Sequence, residues 1–192
     1  SMVAAAAFAT SAIASPYTVD ASHSNVNFTV RHLIAKMSGE FKEYEGTFKF
    51  DEKKNELSDV NFKIKAKSIS TNNEKRDDHL RGEDFFNVDK FETLTFTAAK
   101  GAKISKKGKL KGDLTIHGVT KPVSFDVEFL GAAKDPWGNQ RTAFTASTKI
   151  SRKDYGLTWN KALDAGGVML GDEVALNLQV EAIQDKPADA AK

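Results

Sequence analysis

The chain runs to 192 residues, 40% of them hydrophobic and 28% charged, which suits one globular domain with an ordinary core. Its 28 basic and 26 acidic residues leave a formal charge of +2, too little for the electrostatic footprint of a nucleic-acid binder. The absence of cysteine excludes disulfides, thiolate metal sites and a cysteine nucleophile.

The N-terminal stretch Met2 to Ala14 is small and apolar and closes on Ala12-Ile13-Ala14, the A-x-A pattern after which signal peptidases cut. Ser15 would then open the mature chain. The usual positive n-region is missing, so residues 1–14 read as the remnant of a signal peptide and an exported protein is expected. No other run approaches the ~20 apolar residues of a spanning helix.

From Tyr17 onward the chain alternates. After a turn over 21–25, Val26, Phe28 and Val30 alternate with Asn27, Thr29 and Arg31, a half-buried strand. Ser38-Gly39 reads as a break, Gly46 as a bend between Tyr44, Phe48 and Phe50, and 51–55 as a charged turn. Val60, Phe62, Ile64 and Ala66 then alternate with Asn61, Lys63, Lys65 and Lys67, giving one oily and one basic face.

Thr71 and Glu74 stand at capping-box spacing, which predicts a short helix near residues 72–82, with Asp77 and Asp78 in its early turns, Arg81 near its end and a left-handed Gly82 to stop it. Leu80, Phe85 and Phe86 follow as a bulky apolar cluster, so the segment reads as a cap. Alternation resumes at Leu94, Phe96 and Ala98 and continues through Ile104, a Lys107-Gly108 turn, and Leu110, Leu114 and Ile116. After a turn over 118–121 come Val123, Phe125, Val127 and Phe129; then Phe144, Ala146 and Ile150; and finally Val174, Leu176, Leu178, Val180 and Ala182. A disordered tail is expected over 185–192.

Strands oily on one face bury it between two sheets or inside one closed sheet. Periodicity satisfies both, but the 13 phenylalanines favour a roomy interior. The expectation is an all-β fold: a single domain over 15–184, an antiparallel up-and-down barrel of about eight strands with one short helix. An outer-membrane barrel is disfavoured, because Lys63, Lys65 and Lys67 would crowd its lumen.

Catalytic signals are weak. Asp77, Asp78 and His79 form an acid-base group on paper, and Ser151 or Thr148 a nucleophile, but no G-x-S-x-G elbow accompanies them. Helix capping, with pairing to Arg76 and Arg81, accounts for the two aspartates more economically, so no enzyme is expected. His23, His32, His79 and His117 lack zinc-site spacing, so neither is a metal. Trp137 and Trp159 suit a pocket mouth or plain core equally.

Several segments resemble the YceI family: Asp135-Pro136-Trp137-Gly138 with Arg141 and Phe144; Ile150-Ser151-Arg152-Lys153-Asp154-Tyr155-Gly156-Leu157; the strand from Ser24 to His32 with Gly39 and Phe41; Arg76-Asp77-Asp78-His79-Leu80 with Asp84-Phe85-Phe86; and the run from Gly112 to Phe129. The likeness extends over residues 17–183. Where relatives often read Tyr-Pro before Phe96, this chain has Phe91-Glu92.

The resemblance implies a lipocalin-like barrel in a periplasmic protein that binds and carries or sequesters a long isoprenoid lipid, of polyprenyl or isoprenoid-quinone type, with no other cofactor. Burying one isoprene unit is worth about 4 kcal/mol at ~0.8 kcal/mol per CH₂. Residues expected to face the tail are Phe28, Val30, Phe48, Phe50, Phe62, Ile64, Leu80, Phe85, Phe86, Leu114, Ile116, Phe125, Val127, Phe144, Trp159, Leu176 and Leu178. Asp78, His79 and Arg81 are the candidates for head-group contact. The lysine-rich strand faces, Lys63, Lys65 and Lys67 with Lys103, Lys106, Lys107, Lys109 and Lys111, suit transient contact with an anionic membrane surface, and a homodimer is left open. The rival is a non-catalytic periplasmic interaction or stress protein whose barrel is filled by its own side chains.

Overall fold

The computed structural model describes residues 14–187. The expected leader remnant, apart from Ala14, and the tail beyond 187 lie outside the described residues. The start of that tail is tied down: Asp185 donates its N–H to the Pro16 carbonyl at 2.9 Å, and its carboxylate accepts from the Thr18 hydroxyl at 2.7 Å.

Twelve strands form one sheet closed on itself. They are β1 (Ser15–Val19), β2 (Asn25–His32), β3 (Ala35–Phe41), β4 (Tyr44–Asp51), β5 (Glu56–Lys65), β6 (Ile69–Ser70), β7 (Thr93–Ala98), β8 (Ala102–Lys103), β9 (Lys107–Ile116), β10 (Val119–Lys134), β11 (Gln140–Ser151) and β12 (Leu170–Gln184). β1 and β2 are one stave interrupted by a turn of 3-10 helix, Ala21–His23; β3 and β4 are a second, and β5 and β6 a third. With β7, β9, β10, β11 and β12 they make eight staves in up-and-down order. β12 closes the ring by pairing with β2 over Leu176↔Phe28 and with β1 over Tyr17↔Gln184. The barrel alternative is therefore the one adopted, and closure leaves the main staves no unpaired edge.

Two glycines expected to interrupt strands lie inside them. Gly39 sits within β3 opposite Phe28, and Gly46 within β4 opposite Phe62. A Cβ on Gly39 would come within 2.4 Å of the Phe28 ring, and one on Gly46 within 2.6 Å of the Phe62 ring, so the glycines let those rings lie flat on the wall. Lys107-Gly108 likewise belongs to β9 and forms no turn. The β9–β10 turn has just two residues, His117 and Gly118, at φ +53° and +73°, as tight hairpins require.

One end of the barrel is packed shut. Phe50, 1% exposed, meets Phe129 and Phe144 at centroid distances of 5.2 and 5.1 Å, and Phe48 meets Phe144 and Tyr17 at 5.7 and 5.5 Å. Beside this plug, Arg141 binds Asp20 at 2.9 Å, Asp135 at 2.9 Å and Glu181 at 2.6 Å. One guanidinium thus ties the end of β1, the β10–β11 turn and β12 together. Hydrogen bonds from the Ser22 hydroxyl and then Arg141 hold the Asp20 carboxyl well below its usual range; those from the Asn139 amide and Arg141 do the same for Asp135.

The other end carries the only α-helix among the described residues, α1 (Glu74–Arg81). Its cap is Asn73, whose side chain accepts from the Arg76 N–H at 3.0 Å, and not Thr71. Thr71 instead donates its backbone N–H and hydroxyl to the buried Asp77 carboxylate and accepts from Arg76 Nε at 2.7 Å. Gly82 ends the helix in extended conformation, φ −76°; the left-handed residue is Asn87, at φ +44°.

Truncating Phe50 to alanine is expected to cost about 3–5 kcal/mol, because the plug has no spare volume to collapse into; chemical denaturation measures it. The Arg141 cluster sets an acid limit. Asp20 and Asp135 titrate lower folded than unfolded, so their stabilisation is present at neutral pH and is lost as pH falls below the ordinary carboxylate range of ~4. Arg141→Met should lower Tm at pH 7, and the gap from wild type should narrow below pH ~4.

Candidate ligand-binding site

Between plug and helix the barrel is hollow, in two adjoining chambers. The deeper has a volume of about 130 Å³ and is lined by apolar residues save Asn27 and Thr95. The outer, under α1, has about 450 Å³. Phe28, Phe41, Leu94, Ile116 and Leu176 border both and form the waist between them. Alternation explains the lining: strand residues that face inward are every second one, and no polar side chain needs a partner there.

Of the residues expected to face a tail, Phe48, Phe62, Ile64, Leu114, Phe125, Val127, Phe144 and Leu178 border the deep chamber, Val30, Leu80, Phe85, Phe86 and Trp159 the outer one, and Phe28, Ile116 and Leu176 the waist. Phe50 borders neither. Its ring is spent on the plug, one pleat repeat beyond Phe48, where the barrel is already full. Period-two alternation identifies the inward face but carries no information on depth.

The head-group candidates separate. His79 lines the outer chamber; its Nε2 is 2.8 Å from Asp84, and its ring stands edge-on to Phe85 and Trp159 at 5.1 and 5.0 Å. Asp78 and Arg81 do not line it. They pair with each other at 2.9 Å on the outward side of the helix, and Arg81 donates on to the carbonyls of Lys67 and Ile69. The polar lining comes instead from His32, Asn73, Lys75, Arg76, His79, Arg152 and Tyr155, with no carboxylate among them.

Arg152 is the residue that strand and helix patterns pass over. It is 4% exposed and spends its donors on backbone: Nε on Gly171 O at 2.8 Å, and Nη1 on Leu157 O and Trp159 O. Burial pulls its pKa below the usual arginine value, with Asp172 opposing. The result is a strap over residues 152–170 that holds Leu157 and Trp159 over the outer chamber. Asn160 fastens its far side by accepting from the Leu170 N–H and donating to the Leu170 carbonyl. A cation inside an Ile-Ser-Arg-Lys run was the available signal, but only the three-dimensional path of the strap shows what it binds. Trp137 is neither mouth nor core: it stands 82% exposed on the β10–β11 turn, at the plugged end.

The imagined catalytic groups stay apart. Asp77 is occupied by Thr71, Thr148 donates to the Ser124 carbonyl, and neither Thr148 nor Ser151 is hydrogen-bonded to a histidine among the described residues. One trio could in principle hold a cation, Asp20, His23 and Glu181. Arg141 already sits on both of its carboxylates and opposes a second positive charge.

A YceI-like domain model matches residues 17–182. Protein YceI of Salmonella arizonae is 40% identical over 179 residues, 92% of this chain and 91% of that protein. The crystal structure of the Campylobacter jejuni YceI protein superposes with a TM-score of 0.72 at 36% identity, over 81% of this chain and 90% of that one. Two more distant structures share the fold: Burkholderia cenocepacia BcnA, with a TM-score of 0.73 at 20% identity over 85% of this chain and 98% of that one, and a polyisoprenoid-binding domain from Saccharophagus degradans, with 0.61 at 16% over 88% and 98%. The match of residues 17–182 to the family model and the 40% identity to a curated relative establish that the chain belongs to the YceI family.

Proposed function

We propose that the barrel binds a long-chain isoprenoid lipid, of polyprenyl or isoprenoid-quinone type, and carries or sequesters it without catalysis. The tail threads the waist into the deep chamber and the polar end stays in the outer one. The observation that carries this reading is the pair of adjoining chambers between α1 and the plug, the deeper one lined almost wholly by apolar residues; the polyisoprenoid-binding domain of the same fold supports it. A dry cavity of ~150 Å³ takes one benzene. On that scale, chambers of about 130 and 450 Å³ hold roughly 20–25 carbons, or about four to five isoprene units, and a longer chain protrudes at the mouth.

A bilayer offers the tail a similar apolar home, so exchange with membranes turns on small differences, as carriage requires. Export to the periplasm belongs to the same proposal, supported by Ala12-Ile13-Ala14 directly before β1. A homodimer is not needed, since one chain supplies the whole lining. The rival reading, a filled barrel acting as an interaction or stress protein, fits the plug alone.

Mass spectrometry of an organic extract of the purified protein tests the proposal, with an isoprenoid at near-stoichiometric amount expected. Gly39→Ala should turn the Phe28 ring off the wall into the waist, and Val127→Trp should fill the deep chamber; both should stay folded and lose the bound lipid. If the extract is empty and added polyprenol does not bind, or if both variants are destabilised by the ~1–3 kcal/mol typical of an overpacked core yet keep their full lipid complement, the filled barrel is the correct description.

A further inference from the structure

Of the eight lysines on the strand walls three meet countercharges, while Lys63, Lys67, Lys103, Lys106 and Lys111 have no carboxylate within salt-bridge distance among the described residues and stand on walls with no exposed apolar tip beside them. Lys65 meets Glu43 at 2.6 Å, Lys109 meets Asp126 at 2.6 Å and Lys107 meets Glu128 at 3.8 Å. The rim of the open end differs. At the tip of the β2–β3 hairpin, Ile34 is fully exposed and Leu33 41% exposed, with Leu33 at φ +54°, where a two-residue turn favours glycine. Turn chemistry therefore does not account for this pair. Leu33 donates its N–H to the Met169 carbonyl at 2.7 Å, and Arg31 Nη1 donates to the Leu33 carbonyl at 2.7 Å and more weakly to that of Val168 at 3.5 Å. The tip and the 152–170 strap are thus stitched into one promontory, to which Val168 adds a third exposed apolar side chain. His32, Met169 and Leu170, beside these residues in the chain, line the outer chamber, so the promontory stands at its opening.

Arg31, Lys36 and Lys161 lie on the two stitched segments, and Lys75 on α1 at the same opening; the Arg76 guanidinium beside it is spent on Thr71. None of the other four has a carboxylate within salt-bridge distance among the described residues; Asp164 is the one acid in the stretch 160–169, and Asp172 and Glu173, on the same face as Arg31 and Lys36, are taken by Arg152, Lys153 and Lys149.

We infer that the protein docks mouth-down on anionic bilayers, burying Leu33, Ile34 and Val168 among the acyl chains while this cationic rim lies at the lipid phosphates. An apolar tip ringed by unpaired cations matches the layering of a charged membrane interface. A second copy fits worse, because a two-fold contact through this patch sets Arg31 and Lys36 against their own equivalents. What passes through the mouth rests on the isoprenoid reading; the docking does not.

Flotation of the mature chain with vesicles of phosphatidylcholine, alone or with about one-third phosphatidylglycerol, tests it. Binding is expected to the anionic vesicles, to weaken in high salt, and to fall by at least about tenfold in Ile34→Asp and in Val168→Asp. Both positions are outside the barrel interior, so each variant should load isoprenoid from detergent solution as wild type does. Flotation unchanged in both variants, or equal on neutral and anionic vesicles, overturns the inference, as does a change in sedimenting mass showing that the tip joins two copies. Flotation that depends on Ile34 in a protein that binds no isoprenoid upholds the docking and sinks the isoprenoid reading alone.

Discussion

The hollow depends on where aromatic rings are allowed to lie. Phe28 covers Gly39, Phe62 covers Gly46 and Phe96 covers Gly112, and at each glycine a Cβ would come within 2.4 to 2.6 Å of the ring. A ring laid across glycine occupies volume that a neighbouring side chain would have filled, and so thickens the wall without entering the lumen. Phe48, Phe50, Phe129 and Phe144 have no such partner and pack against one another edge-to-face and tilted. One residue type thus builds both a cavity and a plug, and the glycines decide which. Holding the deep chamber open costs about 3 kcal/mol at ~24 cal/mol per Å³, stability that an apolar occupant restores.

The covers over the mouth rest on polar groups that are buried and satisfied. Asp77 takes the N–H and hydroxyl of Thr71, and Arg76 the Thr71 hydroxyl and carbonyl, which anchors the first turn of α1 to the chain leaving β6. On the opposite side Arg152 gathers three backbone carbonyls. A buried guanidinium is tolerated only when its donors are used, so the strap has little choice of path. Both covers are fastened at their bases, and they turn Leu80, Leu157 and Trp159 to the chamber alongside its polar lining.

Much of the barrel is legible in the sequence because its strands obey one rule, an inward face at every second residue. That rule orders Val26, Phe28 and Val30, or Leu176, Leu178 and Val180, without ambiguity. It could not tell sandwich from barrel, since both bury the same face, nor Phe48 from Phe50, since depth along the axis leaves no mark on periodicity. Glycine misled for a related reason. Within one strand Gly39 and Gly46 look like interruptions, and only the register across the sheet reveals the rings they accommodate. The helix was legible as an element but not in its cap, because Thr71, Asn72 and Asn73 are all acceptable caps and Thr71 was claimed by Asp77, a tertiary preference. Of the head-group candidates only His79 reaches the chamber: Asp78 and Arg81 satisfy each other three residues apart on the helix surface, whereas the polar lining is drawn from three separate elements, β2, α1 with its cap, and the turn over 152–155.

With Phe50, Phe129 and Phe144 filling one end and Arg141 lacing it shut, the barrel is a blind tube. A chain can enter only tail-first and must leave by the same door in reverse. The deep chamber is too apolar to hold ordered water, so nothing has to flow past the advancing tail. Away from a membrane withdrawal is the slow direction, because each further unit drawn out into water adds to the barrier. For the proposed isoprenoid guest, residence in water then lengthens with tail length up to what the chambers hold, and the depth of the plug, set by a few interlocked rings, would fix that limit.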